Sequence, residues 1–370
     1  MDPVEFRLKN VVQSGGQTAT GQTLDPHGAP ECITTAAEML GWGKELPAGE
    51  AMGIAIGWWP SFGVSSGAYI KFNGDGSATI ITGAQECGSG AVMALPRLAA
   101  DQLGMKAEDF SIVYQDTESG PYDMGSSGSQ TTFNNGRAVV AAAKELRERL
   151  LDMAADKLEA AKGDIELADG VARVKGSPDK NVAIAELAGE ATGSAQLIAS
   201  GSTAPPSAPE VDGSNCVGRM GMDSWLAPGF FCHAVHVKVD QETGVTRVLK
   251  VAAAHDSGTI LNPIGAEGQI EGGVVMGIGQ ALLEGNQIAD DGTMLGAGLL
   301  EYKLQTMSDI PPIDIAFVGP PAENAGPQGA KTIAEPPSVP TLAAIGNAIR
   351  GAADVRVHQL PMTPNRVWDA

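Results

Sequence analysis

A chain of 370 residues is long enough for two domains with cores of their own. Its formal net charge of −20 argues against nucleic acid as a partner, because phosphates need Lys and Arg to neutralise them. With 43% hydrophobic and 18% charged residues the composition is globular, and no stretch approaches the ~18 apolar residues of a membrane span.

The N-terminus, Met1–Phe6, lacks the basic-then-apolar pattern of a secretory signal, so the expected location is cytoplasmic. Cys32, Cys87, Cys216 and Cys232 are widely spread and form no C-x-x-C pair. The five histidines form no H-x-x-x-H set, so no metal cluster ligated by this chain is expected.

Met1–Asn10 reads as the end of a helix or a linker, and Ser14–Pro30 as a loop. Glu31–Leu40, apolar at Ile33, Ala36, Ala37 and Leu40, predicts a short helix closed near Gly41 or Gly43. Strands are expected at Gly53–Trp58 and Gly67–Phe72. Asn73-Gly74-Asp75-Gly76 is a turn sequence leading into a third strand at Ala78–Thr82. Gly88–Gly104 reads as a helix in which Pro96 predicts a kink or a late start. A strand at Phe110–Gln115 and a loop at Asp116–Gly128 follow. The longest helix is expected over Gly136–Lys162, with Gly163 as its C-cap.

Asp169-Gly170 marks another hairpin. Ser200–Ser214 has the composition of a linker or surface loop. The reading is therefore α+β, with subdomains at residues 1–200 and 215–370 joined by 201–214. In the second, His233, Val235, Val237 and Val239 alternate as in a strand, and Gln241–Gly244 turns into a strand at Val245–Ala253. His255–Gly268 reads as a loop and Gly268–Leu283 as a Gly-rich buried helix. Strands are expected near Tyr302 and at Ile313–Phe317, then a last helix with Ser338 as its N-cap. Turn, strand, Gly-rich loop and small-residue helix occur at Asp75–Gly104 and again at Gly244–Leu283. A duplication and the general habits of α+β folds account for this echo equally well.

Four segments can carry chemistry. Thr82–Gly90 (TGAQECGSG) is a strand-to-helix turn whose backbone N–H groups can approach an anion closely; it is also a plain tight turn. Gly125–Thr132 (GSSGSQTT) places five hydroxyls ahead of the long helix, as an anion site or as a capping loop. His255-Asp256 precedes Ser257-Gly258 and Asn262-Pro263. Such a pair without a nucleophile is more often a satisfied polar turn than a catalytic dyad. Finally, Glu335 stands between Gly329–Ala334 and two prolines, ahead of a helix. Spacing alone leaves it as a cap or as a fixed base. Trp58, Trp59, Phe62 and Tyr122 are core aromatics or the lining of a channel for an aromatic ring.

Taken in order, these segments resemble the molybdenum hydroxylases, the xanthine dehydrogenase and aldehyde oxidase family. The resemblance lies in Gly-Ala-Gln-Glu-x-Gly-x-Gly, Gly-Ser-x-Thr-Thr with Asn-Gly-Arg-Ala, Ala-His-Asp-x-Gly-x-x-x-Asn-Pro with Glu-Gly-Gln-Ile-Glu-Gly-Gly, and Gly-Ala-Lys-x-x-x-Glu-Pro-Pro. The chain departs from the family at Ser89 and Met276, where Gln is frequent, and at Thr332 and Ala334, where Gly is. The resemblance implies the C-terminal half of a molybdopterin-binding catalytic subunit, built of mixed sheets and Gly-rich loops.

It further implies Glu335 as the general base, with Gln85, Gly88, Ser89, Gly90, Ser127, Gly128, Ser129, Thr131 and Gln269 holding the cofactor. Molybdenum would be held through the pterin near Gly128 and Glu335, the cofactor being the cytosine dinucleotide form. The implied reaction inserts oxygen from water at an electrophilic carbon of a heteroaromatic or aldehyde substrate. Electrons leave through [2Fe-2S] and FAD on partner subunits. A second subunit half, bearing the Gly-Gly-Gly-Phe-Gly-Gly segment absent here, is an implied partner. The competing expectations are a non-catalytic cofactor-holding or assembly subunit, and an unrelated α+β protein that binds an ordinary nucleotide.

Overall fold

Along the chain the elements are α1 (Pro3–Asn10), α2 (Ala29–Leu40), β1 (Glu50–Trp59), β2 (Ser66–Phe72), β3 (Ala78–Thr82), α3 (Ala91–Leu103) and β4 (Phe110–Val113). Then come α4 (Thr131–Leu158), β5 (Ile165–Ala168), β6 (Val171–Val174), β7 (Ser177–Ala183), α5 (Ile184–Thr192) and β8 (Ile198–Thr203). The remainder is β9 (Gly229–Val239), β10 (Thr246–Asp256), α6 (Pro263–Leu282), β11 (Ile313–Phe317), α7 (Ser338–Ala353) and α8 (Pro364–Trp368). The structure is a computed structural model and describes residues 1–18, 22–61, 63–114, 116–204, 226–323 and 325–370.

Contacts divide the chain into two units. One holds Met1–Pro60, Glu210–Ala322 and Lys331–Ala370; the other holds Ser61–Pro209 and Glu323–Ala330. This corrects the expected division into 1–200 and 215–370. β1 pairs antiparallel with β9 along its whole length, from Glu50↔Lys238 to Trp59↔Gly229, so the first sixty residues belong with the C-terminal part. Alternation identifies a strand without naming its partner. Of the expected linker 201–214, residues 201–203 complete β8, and 205–214 lie outside the described residues.

The first unit is a four-stranded sheet in the order β1-β9-β10-β11, antiparallel except for the parallel β10/β11 pair. Successive strand residues point to opposite faces. Phe230, Cys232, Ala234, Ala252 and Ala254 bury against Ile33, Ala36 and Leu40 of α2. Val235, Val237, Val251 and Ala253 bury against Ile270, Val274 and Ile278 of α6 and Ala344, Ile345 and Ala348 of α7. Gly53 is what lets α7 lie on β1. A Cβ there would overlap the Ala344 carbonyl oxygen and the Ala348 nitrogen.

The second unit has a sheet in the order β4-β3-β2-β8, again antiparallel except for one parallel pair, β3/β4. A meander, β5-β6-β7, stands beside it in sequence. Gly201 of β8 repeats the device of Gly53, since a Cβ there would overlap the Ala138 carbonyl of α4.

Among the described residues, the units share a repeat of a hairpin, a crossover helix, a strand parallel to the hairpin's second strand and a covering helix. These are β2-β3-α3-β4-α4 and β9-β10-α6-β11-α7. The sequence echo falls on equivalent parts of this repeat. Parallel strands end at the same sheet edge, and in α/β sheets that edge is where ligands bind. Residues 83–90 and 116–130 follow such strands in one unit, and 257–262 and 318–322 in the other.

Several boundaries differ from the sequence reading. α4 starts at Thr131 because its polar first turns are held by bonds across the unit, which local propensity does not register; it ends at Leu158 with Glu159 in the left-handed conformation, not at Gly163. α6 starts at Pro263, where the Asn262 side chain accepts the Gly265 N–H at 3.1 Å. Ser338 is the first residue of α7 and donates its hydroxyl to the Glu335 carbonyl at 3.0 Å, so it does not cap the helix. Tyr302 lies in no strand; its hydroxyl donates to Glu284 at 2.8 Å.

Candidate functional site

In the second unit, Gln85, Gly88, Ser89 and Gly90 sit on the loop between β3 and α3. Ser127, Gly128 and Ser129 sit on the loop after β4, and Thr131 opens α4. The two loops are tied together. The Ser126 hydroxyl donates to the Gln85 carbonyl at 2.8 Å, and the Thr131 hydroxyl donates to Ser126 Oγ at 3.0 Å. Beneath them lies a polar network that the sequence reading missed. Ser66 Oγ donates to Asp123 Oδ2 at 2.6 Å, Asn135 Nδ2 donates to Ser66 Oγ at 2.7 Å, and the Thr82 hydroxyl donates to Asn135 Oδ1. Asp123 Oδ1 also accepts the Gly125 N–H at 2.8 Å, which fixes the second loop directly.

One expectation about this loop pair changes. The amides expected to face an anion at the start of α3 are taken by the chain's own carboxylate. Gly88, Gly90 and Val92 donate their N–H groups to Glu86 at 2.8, 3.0 and 3.2 Å. An acidic side chain five residues before a helix competes with an external anion for the same positive end. Nor do the hydroxyls of the second loop cap α4, which starts after Gln130 with no side-chain cap. Gln130 Oε1 accepts the Gly63 N–H at 3.0 Å instead.

In the first unit, Gln269 is half-buried on α6 and Glu335 is exposed on the turn before α7. That turn is packed tightly against α6. A Cβ on Gly273 would stand 2.5 Å from Pro337 Cβ, and one on Gly277 would stand 2.6 Å from Thr341 Cβ. Lys331, Thr332, Pro336 and Pro337 are buried around the exposed Glu335. Lys331 Nζ pairs with both Asp256 oxygens, at 2.7 and 2.9 Å, with the side chains 2% and 0% exposed. Asp256 Oδ2 also accepts the Gly28 N–H at 2.8 Å. Burial pushes the Asp256 carboxyl above its usual range, against the pull of Lys331 and that amide.

His255 and Asp256 form no dyad. As neighbours on β10 they leave its opposite faces, and His255 meets His233 at 2.8 Å, Nε2 to Nε2. Burial holds His233 down to about 3 and His255 well below its usual value, the latter also through His233. Of the aromatic set, Trp58 and Tyr122 are exposed and not core, and Phe62 lies outside the described residues.

The loops leave room for a close approach to their backbone. Gly88, Gly90 and Gly128 hold left-handed conformations at φ +96°, +73° and +61°, and open space lies where a Cβ on Gly88 or Gly90 would stand. Hydroxyls, amides and the carboxylates of Glu86 and Asp123 stand on them, and no Lys or Arg does. The fold is α+β, with Gly-rich loops leaving the ends of parallel strands. The chain belongs to the molybdopterin cofactor-binding domain family, whose family model matches residues 36–311.

Among curated relatives, it is 31% identical to the xanthine dehydrogenase molybdenum-binding subunit of Escherichia coli O157:H7, covering 100% of this chain and 49% of the relative. It is 30% identical to the nicotine 6-hydroxylase large subunit of Paenarthrobacter nicotinovorans, covering 99% and 47%. Among solved structures, quinoline 2-oxidoreductase from Pseudomonas putida 86 superposes with a TM-score of 0.88 at 26% identity, over 100% of this chain and 49% of that one. The chain spans about half the length of the curated relatives it matches. No helix among the described residues is long and apolar enough to cross a membrane.

Proposed function

We propose that this chain is the C-terminal half of the molybdopterin-binding catalytic subunit of a molybdenum hydroxylase, with Glu335 as its general base. The observation that carries the reading is the Glu335 turn. An exposed carboxylate stands on buried, proline-stiffened backbone directly before α7, in a chain of this family. A carboxylate serves as base where its position is fixed relative to the proton it removes. When bound, the cofactor would supply the metal that acidifies water and the acceptor for two electrons from substrate. Gln85, Ser89, Ser127, Ser129, Thr131 and Gln269 would hold it through hydroxyl and amide bonds. Gly88, Gly90 and Gly128 would keep its approach open.

The names of the relatives favour a substrate class. Xanthine, nicotine and quinoline are nitrogen heteroaromatics, so an electrophilic ring carbon is the proposed target, hydroxylated with oxygen from water. The cofactor is proposed to be the cytosine dinucleotide form. Electron transfer is assigned to [2Fe-2S] and FAD groups on partner subunits, and the opposite wall of the site to the other half of the subunit. The proposed location is cytoplasmic.

Glu335→Gln in the assembled enzyme tests the reading. Molybdenum content should stay at the parent level while turnover falls roughly 10²–10⁴-fold, the range for loss of a general base. Near-parent turnover at full molybdenum content would remove the catalytic role and leave a cofactor-holding subunit.

A further inference from the structure

The pair that closes β10 reaches the Glu335 turn from both sides. On the α2 face, Asp256 grips Lys331, four residues before Glu335, and the Lys331 N–H donates to the Ser257 carbonyl at 2.9 Å. On the α7 face, His255 meets His233, and His233 Nδ1 meets Thr341 Oγ1 at 2.8 Å. The Thr341 hydroxyl donates to the carbonyl of Pro337 at 3.0 Å, two residues after Glu335.

Proton counting fixes the direction of that second line. Thr341 has one hydroxyl hydrogen and gives it to Pro337, so it accepts from His233 Nδ1–H. Neutral His233 then has a bare Nε2, which accepts from His255 Nε2–H. His233, His255 and Thr341 are all 0% exposed, so water does not compete for these bonds. Each link has one hydrogen and one acceptor, and only one arrangement satisfies the set.

We propose that His255 and Asp256 are the two jaws of a clamp that fixes the Glu335 carboxylate, Asp256 through Lys331 and His255 through His233, Thr341 and the Pro337 carbonyl. This rests on the reading of Glu335 as the base. All five side chains act through the Glu335 turn and are positioning residues. The clamp accounts for the His-Asp sequence on one strand end, because two adjacent residues of a strand are the only neighbours that serve both faces of a sheet. It also accounts for the glycines at 273 and 277, which let Pro337 and Thr341 come close enough to α6 to be held from behind.

The test compares Thr341→Val with Thr341→Ser in the assembled, cofactor-loaded enzyme. Valine keeps the shape and removes the hydroxyl, while serine restores it. Thr341→Val should lower kcat about tenfold or more with little change in KM, since misplacing a catalytic group by about 1 Å can cost more than that. Molybdenum content should not change. Amide hydrogen exchange over residues 332–339 should quicken, and Thr341→Ser should restore both kcat and protection. His233→Asn keeps a donor toward Thr341 and cuts only the link to His255, so it should show the same changes at smaller size.

Unchanged exchange in both Thr341→Val and His233→Asn would overturn the clamp. Faster exchange with full kcat, in an enzyme that Glu335→Gln does inactivate, would overturn it as a positioning device. If Glu335→Gln itself keeps turnover, the base reading falls, and the exchange comparison still decides whether the clamp orders the turn.

Discussion

Asp256→Asn keeps the shape of a fully buried side chain and removes its charge. In the parent, the Lys331 ammonium lies 2.7 and 2.9 Å from the two carboxylate oxygens, with the side chains 2% and 0% exposed. Asparagine would leave one oxygen toward that ammonium and turn an amide toward it as well. A buried positive charge would then lack its counter-ion, which costs about 3–5 kcal/mol. The intact pair is worth far less than that figure suggests. Burial already pushes the Asp256 carboxyl up, so desolvation takes back much of the Coulombic gain.

Asp256→Leu combined with Lys331→Met should therefore recover most of the loss. It would not recover all of it, because the Gly28 N–H loses its acceptor, a deficit of about 1–3 kcal/mol. Urea denaturation of the parent, Asp256→Leu, Lys331→Met and the double variant gives the cycle directly. The reasoning is refuted if Asp256→Asn loses less than about 1 kcal/mol, or if the double variant is as unstable as the sum of its parts.

Acid should weaken the first unit through its histidines. His233 titrates near 6.5 when unfolded and near 3 when folded, so the unfolded chain binds the proton first. The stability present above about pH 6.5 is lost as pH falls toward 3, at up to about 1.4 kcal/mol per pH unit for each histidine, and a His233→Gln/His255→Gln variant should show a flatter profile over that window; an equal slope in both proteins would refute the assignment. Gly128→Val places a β-branched residue at φ +61° with its Cβ 3.0 Å from Gln130 Nε2, so molybdenum content of the purified complex should fall, and parent-level content would leave the loop without a role in holding the cofactor.

The chain's order of elements was legible because turns and periods are local. Asn73-Gly74-Asp75-Gly76 announced the β2–β3 hairpin, and Asp169-Gly170 the β5–β6 hairpin. Ile33, Ala36, Ala37 and Leu40 announced α2, and all four are buried. The family was legible too, because its motifs sit on the loops that leave parallel strand ends, where backbone conformation demands particular residues. The helix starts at Thr131 and Pro263 were not, since the bonds that stabilise those first turns come from other segments or from a cap read as loop.

Sequence by itself determined the residue types at the site: glycines with positive φ, hydroxyls ahead of α4, and a carboxylate before two prolines. Only the tertiary structure decided what each does. Glu86 looked like part of an open anion loop, yet it fills the amides of that loop itself. His255-Asp256 looked like one polar turn, yet its members serve opposite faces of a sheet and meet partners at positions 233 and 331. β1 looked like part of the first half, yet it pairs with β9 about 180 residues later. The physical reason is the same in each case. A strand's alternation, a loop's flexibility and a side chain's charge are properties of a few neighbouring residues. A hydrogen bond between residues 75 or 108 positions apart depends on where the whole chain has brought them.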